Sequence, residues 1–248
     1  MGKVYLIGAG PGDPELLTLK AARLLASAPV VVYDRLVSSE ILAFANPRAK
    51  FIYAGKEPGR QEEIQREVFA ALATHASEPD AVVVRLKGGD PMVFGRGAEE
   101  WLYLAERGFD VEVVPGVSAA IAVPALAGIP LTCRGMAASF AVIAGHRQNL
   151  TLPDWRPYLG IDTLVILMGV EFRDIIASTL IDLGRRADEP VAFIERGSTA
   201  QERVVESTLG AVSRRSVEVA SPAVLVIGEV VRLRSRLAAA REEALLAR

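Results

Sequence analysis

The strongest constraint on this chain is a recurring pattern: a short run made mostly of β-branched and other apolar residues that closes on glycine. It occurs as "KVYLIG" (3–8), "FIYAG" (51–55), "AVVVRLKGG" (81–89) and "VEVVPG" (111–116). A strand with one wet face would alternate apolar and polar residues. Runs that do not alternate belong to strands covered on both faces, as in parallel sheets. "VVVYD" (30–34) is a fifth run of this kind. Between the runs lie helical patterns. Asp13-Pro14 reads as an N-cap and first helical position, followed by Leu16, Leu17, Ala21, Leu24 and Leu25 at helical spacing. A polar helix is expected from about Gln61 to His75 and another over 98–107. Strands alternating with helices make βαβ units.

After "GIPLTCRG" the pattern restarts, with expected strands "SFAVIAGH" (139–146), "DTLVILMG" (162–169), "PVAFIERG" (190–197), "ERVVES" (202–207) and "AVLVIGEVV" (223–231). Helices fit 171–184 and 208–215, and some connections are short enough to require antiparallel pairing. The expectation is an α/β protein of two α/β domains, 1–134 with a parallel sheet and 135–248 with a mixed one. The tail "LRSRLAAAREEALLAR" reads as an exposed helix.

Composition narrows the function. A hydrophobic share of 51% fills a core, and 28 basic against 30 acidic residues argue against a protein that coats nucleic acid. The single cysteine, Cys133, excludes a disulfide framework and points to a reducing cytoplasm. Two histidines, His75 and His146, argue against a zinc site or a Ser-His-Asp triad, so no metal is expected. The apolar start is too short for a signal peptide or a membrane span.

In an open parallel sheet the ligand crevice lies at the carboxyl ends of the strands. Gly8, Gly55, Gly88, Gly116, Gly169 and Gly197 all fall at such ends, where backbone can approach a ligand closely. "GAGPGD" (8–13) resembles a dinucleotide loop, with Asp34 where a ribose-binding acid would sit. Its third glycine is replaced by Asp13, which would repel a pyrophosphate. A phosphate-free, cationic or zwitterionic ligand suits the loop better. Arg85, Arg96 and Arg134 flank glycine-rich turns, and together they suggest a pocket for a carboxylate-rich ligand. Glu99 is placed to hold Arg96, and Glu100 reads as a helix-surface acid.

The strings "VYLIGAGPGDPELLTLKAARLL", "VVVYDRLV", "VVRLKGGDPMVFGRGAEE", "VVPGVSAAIAVPALAGIPLT" and "SPAVLVIGEVV" strongly resemble the tetrapyrrole (class III) methyltransferases across nearly the whole chain. Within that family they are most similar to the uroporphyrinogen-III C-methyltransferases. The resemblance implies a homodimer with S-adenosylmethionine in a cleft between the two domains. It also implies two successive methylations of uroporphyrinogen III, at carbons 2 and 7, giving precorrin-2 for sirohaem and cobalamin synthesis, with S-adenosylhomocysteine as by-product. Carried over by motif, the cofactor residues are Pro11, Gly88, Gly89, Asp90, Phe94, Ser118, Ala119, Met168, Gly197 and Ala223. The residues facing the macrocycle are Asp34, Arg96, Glu99 and Arg134, of which Asp34, Arg96 and Glu99 are the candidates for the chemistry. The resemblance implies no nucleic-acid partner.

Four features depart from the family pattern. The 55–64 segment is shorter, Cys133 stands where histidine is common, Ala98 replaces a usual glycine, and "ERGSTAQERVV" replaces a Thr-Pro-rich version. Length leaves no room for the dehydrogenase and ferrochelatase module of the multifunctional sirohaem synthases, so those steps are expected of other proteins. The rival readings are a methylase of a later corrinoid, a nucleotide-dependent oxidoreductase, and a scaffold that only binds S-adenosylmethionine.

Overall fold

Among the described residues these runs form ten strands in two five-stranded sheets. The computed structural model describes residues 2–55, 61–148 and 150–246; positions 56–60 of the shortened 55–64 segment lie outside them. Internal contacts divide the chain into two units, Met1–Ser118 and Ala119–Arg248.

In the first unit β1 (Lys3–Gly8), β2 (Val30–Tyr33), β3 (Lys50–Tyr53), β4 (Val82–Lys87) and β5 (Asp110–Val114) are all parallel, in the order β3-β2-β4-β1-β5. The helices are α1 (Leu19–Ser27), α2 (Ser39–Leu42), α3 (Gln61–Ala76) and α4 (Gly97–Ala105). Successive strand residues point to opposite faces, and both faces are covered. Ile7, Val31, Val84 and Leu86 pack on Ala21 and Leu25 of α1. Val4, Leu6, Val32 and Val83 pack on Val68 and Leu72 of α3 and Leu104 of α4. That double burial is why the central runs are mostly apolar. The connection leaving β1 leads to β2 on one side, while the one leaving its neighbour β4 leads to β5 on the other. The paths diverge between β1 and β4, the switch point at which open α/β sheets hold ligands.

The α1 start differs from expectation. Asp13 caps only a single 3-10 turn, Pro14–Leu16, by accepting from Glu15 N at 2.8 Å. The α-helix begins at Leu19, with the Thr18 hydroxyl accepting from Ala21 N.

The second unit contains β6 (Phe140–Ala144), β7 (Thr163–Leu167), β8 (Pro190–Glu195), β9 (Arg203–Thr208) and β10 (Ala223–Ile227), in the order β6-β7-β10-β8-β9. Only β6 and β7 pair in parallel; β10 is antiparallel to β7 and β8, and β8 to β9. Its helices are α5 (Ala119–Leu126), α6 (Arg173–Asp182), α7 (Leu209–Ser213) and the largely exposed α8 (Leu233–Leu246). The division falls at 118/119, sixteen residues before the expected 134/135. The reason is α5, whose Ala120 and Val123 pack among Val165, Ala192, Ile194, Val224 and Val226 of the second sheet. The segment "AAIAVPAL" shows no helical period in the sequence, because it is apolar all round and carries an internal proline.

One part of the first core is charged. Arg85 is 1% exposed, Lys87 3% and Glu100 0%. This corrects two expectations. Glu100 is not a surface acid, because Gly97, Glu100 and Leu104 form the buried stripe of α4. Arg85 is not open to a ligand: its Nε donates to Glu100 Oε1 at 3.4 Å, and its Nη1 to the carbonyls of Leu86 at 3.1 Å and Val32 at 3.4 Å. Glu100 Oε1 also accepts from Lys87 Nζ at 2.7 Å and Gln65 Nε2 at 3.2 Å. Burial opposes the charge on Glu100, yet Arg85 and Lys87 together hold its carboxyl below the ordinary value. Burial, reinforced by the Arg85 charge, brings Lys87 down to about 8 against the pull of Glu100 and Asp34.

This fixes the sign of a stability effect. Between pH 8 and 10.5 the unfolded chain binds the Lys87 proton and the folded chain does not. The group's contribution is therefore complete above the unfolded value and lost as pH falls through about 8. The difference corresponds to on the order of 3 kcal/mol. In urea unfolding, the wild type should gain stability relative to Lys87→Met as pH rises from 8 to 10.5; a constant gap between the two would contradict it.

Candidate functional site

Three loops leave the carboxyl ends of β1, β4 and β5 and are tied to one another by backbone. Beyond the last β1–β4 pair, Ala9 N donates to Lys87 O at 2.7 Å. Gly10 and Gly89 then exchange two antiparallel hydrogen bonds, Gly10 N to Gly89 O at 3.1 Å and Gly89 N to Gly10 O at 2.7 Å. Both residues have positive φ, 75° and 66°, which glycine adopts without strain. A Cβ on Gly116 would stand 2.3 Å from Gly89 O and 2.6 Å from Gly8 Cα, so the β5 loop reaches this junction only as glycine. Asp90 completes the knot: Oδ1 accepts from Met92 N at 2.8 Å and Oδ2 from Gly116 N at 3.0 Å. Its carboxylate thus shapes the loops. The first loop is also fastened to the segment after β2, where Ser38 Oγ donates to Gly12 O at 3.1 Å.

The segment after this knot runs in left-handed turns. Phe94 and Arg96 have φ of 53° and 58°, conformations that cost L-residues energy and that cluster at functional sites. Arg96 is the N-cap of α4 but makes no side-chain cap, which leaves its guanidinium for other work. Glu99 binds it in bidentate fashion, accepting from Nε at 2.9 Å and from Nη2. That pair, opposed by partial burial, raises the Arg96 pKa above its ordinary value. Asp34 stands at the end of β2: Oδ1 accepts from Leu36 N at 3.0 Å, and Oδ2 lies 3.7 Å from Arg85 Nη2. Leu36, Met92, Val93 and Phe94 are exposed apolar side chains in the same set of loops.

The expected site residues divide between the units. The first holds Pro11, Asp34, Gly88, Gly89, Asp90, Phe94, Arg96, Glu99 and Ser118; the second holds Ala119, Arg134, Met168, Gly197 and Ala223. In the second unit Met168 follows β7 with φ of 56° and is 47% exposed. Gly197 follows β8 between Arg196 and Ser198, both of positive φ, and a Cβ there would strike Val123 Cγ1 at 2.3 Å. Ala223 opens β10. Arg134 is exposed in a turn closed by Met136 N and Ala137 N, both donating to Cys133 O at 2.9 Å. Sequence reasoning missed Ser38, Gln65 and Lys87. For Lys87 and Glu100 the available signals were the place directly before "GGDP" and the 97–100–104 spacing.

Whether these loops suit S-adenosylmethionine can be judged from their donors. The residues 8–13, 88–90 and 115–118 offer backbone and two carboxylates, Asp13 and Asp90, with no basic side chain. That suits a sulfonium and not a pyrophosphate. Among the described residues, no group of three or more His, Cys, Asp or Glu stands together as a metal site, and no helix is long and apolar enough to cross a membrane.

Known proteins agree with this geometry. The family of tetrapyrrole (corrin/porphyrin) methylases matches residues 3–213. A uroporphyrinogen-III C-methyltransferase of Methanocaldococcus jannaschii is 44% identical over 93% of this chain and 97% of its own length. Siroheme synthase 2 of Aeromonas hydrophila subsp. hydrophila is 47% identical over 96% of this chain, which spans 51% of that longer protein. The crystal structure of a uroporphyrin-III C-methyl transferase from Thermus thermophilus, complexed with S-adenyl homocysteine, is 51% identical and superposes with a TM-score of 0.82, covering 93% of this chain and 94% of that one. With its parallel first sheet, its mixed second sheet and the glycine knot at the carboxyl ends of β1, β4 and β5, the chain belongs to the tetrapyrrole methylase family.

Proposed function

We propose that this chain is an S-adenosylmethionine-dependent C-methyltransferase that converts uroporphyrinogen III to precorrin-2 by methylating carbons 2 and 7. The observation that carries this reading is the Gly88–Glu99 segment. One continuous loop offers side-chain-free backbone at Gly88 and Gly89, then an exposed aromatic at Phe94, then a guanidinium fixed by Glu99. Such a loop suits two ligands at once, a phosphate-free methyl donor and an apolar, carboxylate-rich macrocycle.

When bound, the donor supplies an electrophilic sulfonium methyl. The chain's own residues have three tasks. Pro11, Gly88, Gly89 and Ser118 hold the donor mainly through backbone and apolar contact; Ala119, Met168, Gly197 and Ala223 are assigned to it by the family resemblance. Arg96 and Arg134 meet substrate carboxylates, for which a guanidinium fork is suited. The pyrrole carbon is already electron-rich, so orientation supplies much of the acceleration; well-held groups reach effective molarities of about 10⁵ M or more.

After methyl transfer a proton must leave the macrocycle. Arg96 is a poor acceptor for it: a guanidinium keeps its proton at neutral pH, and pairing with Glu99 raises its pKa further. The acceptor is Asp34, Glu99 or water. Both Glu99 oxygens are engaged by Arg96, which leaves Asp34 the better placed carboxylate. The working form is a homodimer, as the family resemblance implies.

Mass spectrometry after anaerobic incubation with uroporphyrinogen III and S-adenosylmethionine should show two added methyl groups. If S-adenosylmethionine binds but no methyl is gained, the substrate is a later corrinoid. Arg96→Ala should abolish turnover and leave S-adenosylhomocysteine affinity, read by calorimetry, within about threefold, since a charge aimed at the macrocycle adds little to donor binding. Gly116→Ala should do the reverse. Its Cβ meets backbone at 2.3 Å, so the loops must part, and donor affinity should fall about tenfold or more.

A further inference from the structure

Beneath the Gly88–Glu99 loop lies a buried cluster that takes no part in the chemistry above: Lys87, Arg85, Glu100 and Gln65. Burying ions is expensive, and apolar residues of similar size generally serve a core as well or better. Stability alone therefore does not account for three buried charges. What a charged contact supplies is direction. Glu100 Oε1 takes donors from β4 (Lys87 at 2.7 Å, Arg85 at 3.4 Å) and from α3 (Gln65 at 3.2 Å), which fixes the helix about its axis. Apolar packing would let it slide.

The position of the contact matters as much as its strength. The first turn of α4 is anchored twice. Gly97 N donates to Pro91 O at 2.9 Å, with the backbone so close that a Cβ would lie 2.4 Å from that oxygen. Three residues on, Glu100 meets Lys87. Arg96 and Glu99 each stand immediately before one of these anchors, so the rotation of this turn sets where both side chains leave the helix.

We propose that Lys87 and Glu100 are positioning residues for the Arg96–Glu99 pair, their buried contact fixing the rotation of the first turn of α4. The functional consequence rests on the role given to Arg96 above. The groups facing Lys87 are Arg85 on its own strand, Glu100 from α4, the neutral Gln65 from α3 and Asp34 from the end of β2. Lys87 loses its charge near pH 8, so the clamp has a titratable side and its loosening can be followed.

The test reads Arg96 directly, through the 13Cζ resonance of its guanidinium, assigned by its absence in Arg96→Lys. In the wild type this resonance should shift with pH with a midpoint near 8, and in Lys87→Met it should not. Lys87→Met should also bind uroporphyrin III about fivefold or more weakly, with S-adenosylhomocysteine affinity within about twofold, because a misplaced first turn harms only the macrocycle side. Should Lys87→Met fail to fold, the near-isosteric Glu100→Gln carries the same comparison, with a displaced Arg96 resonance and weakened macrocycle binding. An Arg96 resonance that stays flat through this pH range in the wild type overturns the proposal. So does a variant that melts earlier yet keeps both affinities and the resonance, for the cluster would then be structural only. If the resonance titrates as expected and the wild type methylates nothing on uroporphyrinogen III, the substrate reading falls and the positioning role stands.

Discussion

The first unit depends on a hydrogen-bonded pair that lies outside its sheet. Parallel strands normally separate at their ends, and the loops that follow go their own way. Here Gly10 and Gly89 reverse direction and pair antiparallel just past β1 and β4. Gly8 and Gly116 pack against that pair so closely that neither tolerates a Cβ. Asp90 then ties the β4 loop to the β5 loop through Gly116 N. A surface of backbone groups is thereby held in place, with the Asp90 carboxylate as a side-chain tie. Such a surface can lie against a ligand that has no phosphate to grip, and its rigidity comes from the sheet below.

The same economy explains where charge is placed. Exposed pairs such as Arg156–Asp154 contribute little. The buried pairs around Glu100 are costly, and they lie where α4 begins. Below pH 8 the folded chain carries Lys87 protonated, at a cost in stability relative to high pH, and that charged state is the one that grips Glu100 most firmly. Directional hold has been obtained at some expense in stability, as in many sites where side chains must be aimed.

Much of this was legible in the sequence, for identifiable reasons. Most strands stood out because a strand covered on both faces is largely apolar, as in β1, β7, β8 and β10; β9, "RVVEST", carries charge and is only partly buried. The Arg96–Glu99 pair was legible because three residues on one helical turn meet side by side. The unit boundary was not, since α5 is apolar all round and only its packing on β7, β8 and β10 assigns it to the second unit. Glu100 was misread for a related reason. In "GAEEWLYLA" the acids look like a wet first turn and Leu102 like core, but the stripe that meets the sheet is 97–100–104, and Leu102 is 61% exposed. Arg85 misled similarly, because a guanidinium beside a glycine turn gives no local sign that two carbonyls and two carboxylates already claim it.

Arg96 shows how these constraints combine. To act as a base, a guanidinium must first lose its own proton, and the bidentate hold of Glu99 works against that. A fixed positive charge must not swing, and the same hold provides for it. The left-handed turn at Arg96 removes its side chain from capping duty, Gly97 seats the turn on Pro91, and Glu100 locks its rotation. Each feature makes Arg96 a worse proton acceptor or a better-aimed charge. In the proposed reaction, proton removal would then fall to a group with a freer lone pair. Asp34, with one oxygen on Leu36 N and the other facing Arg85 at 3.7 Å, meets that description where Glu99 does not.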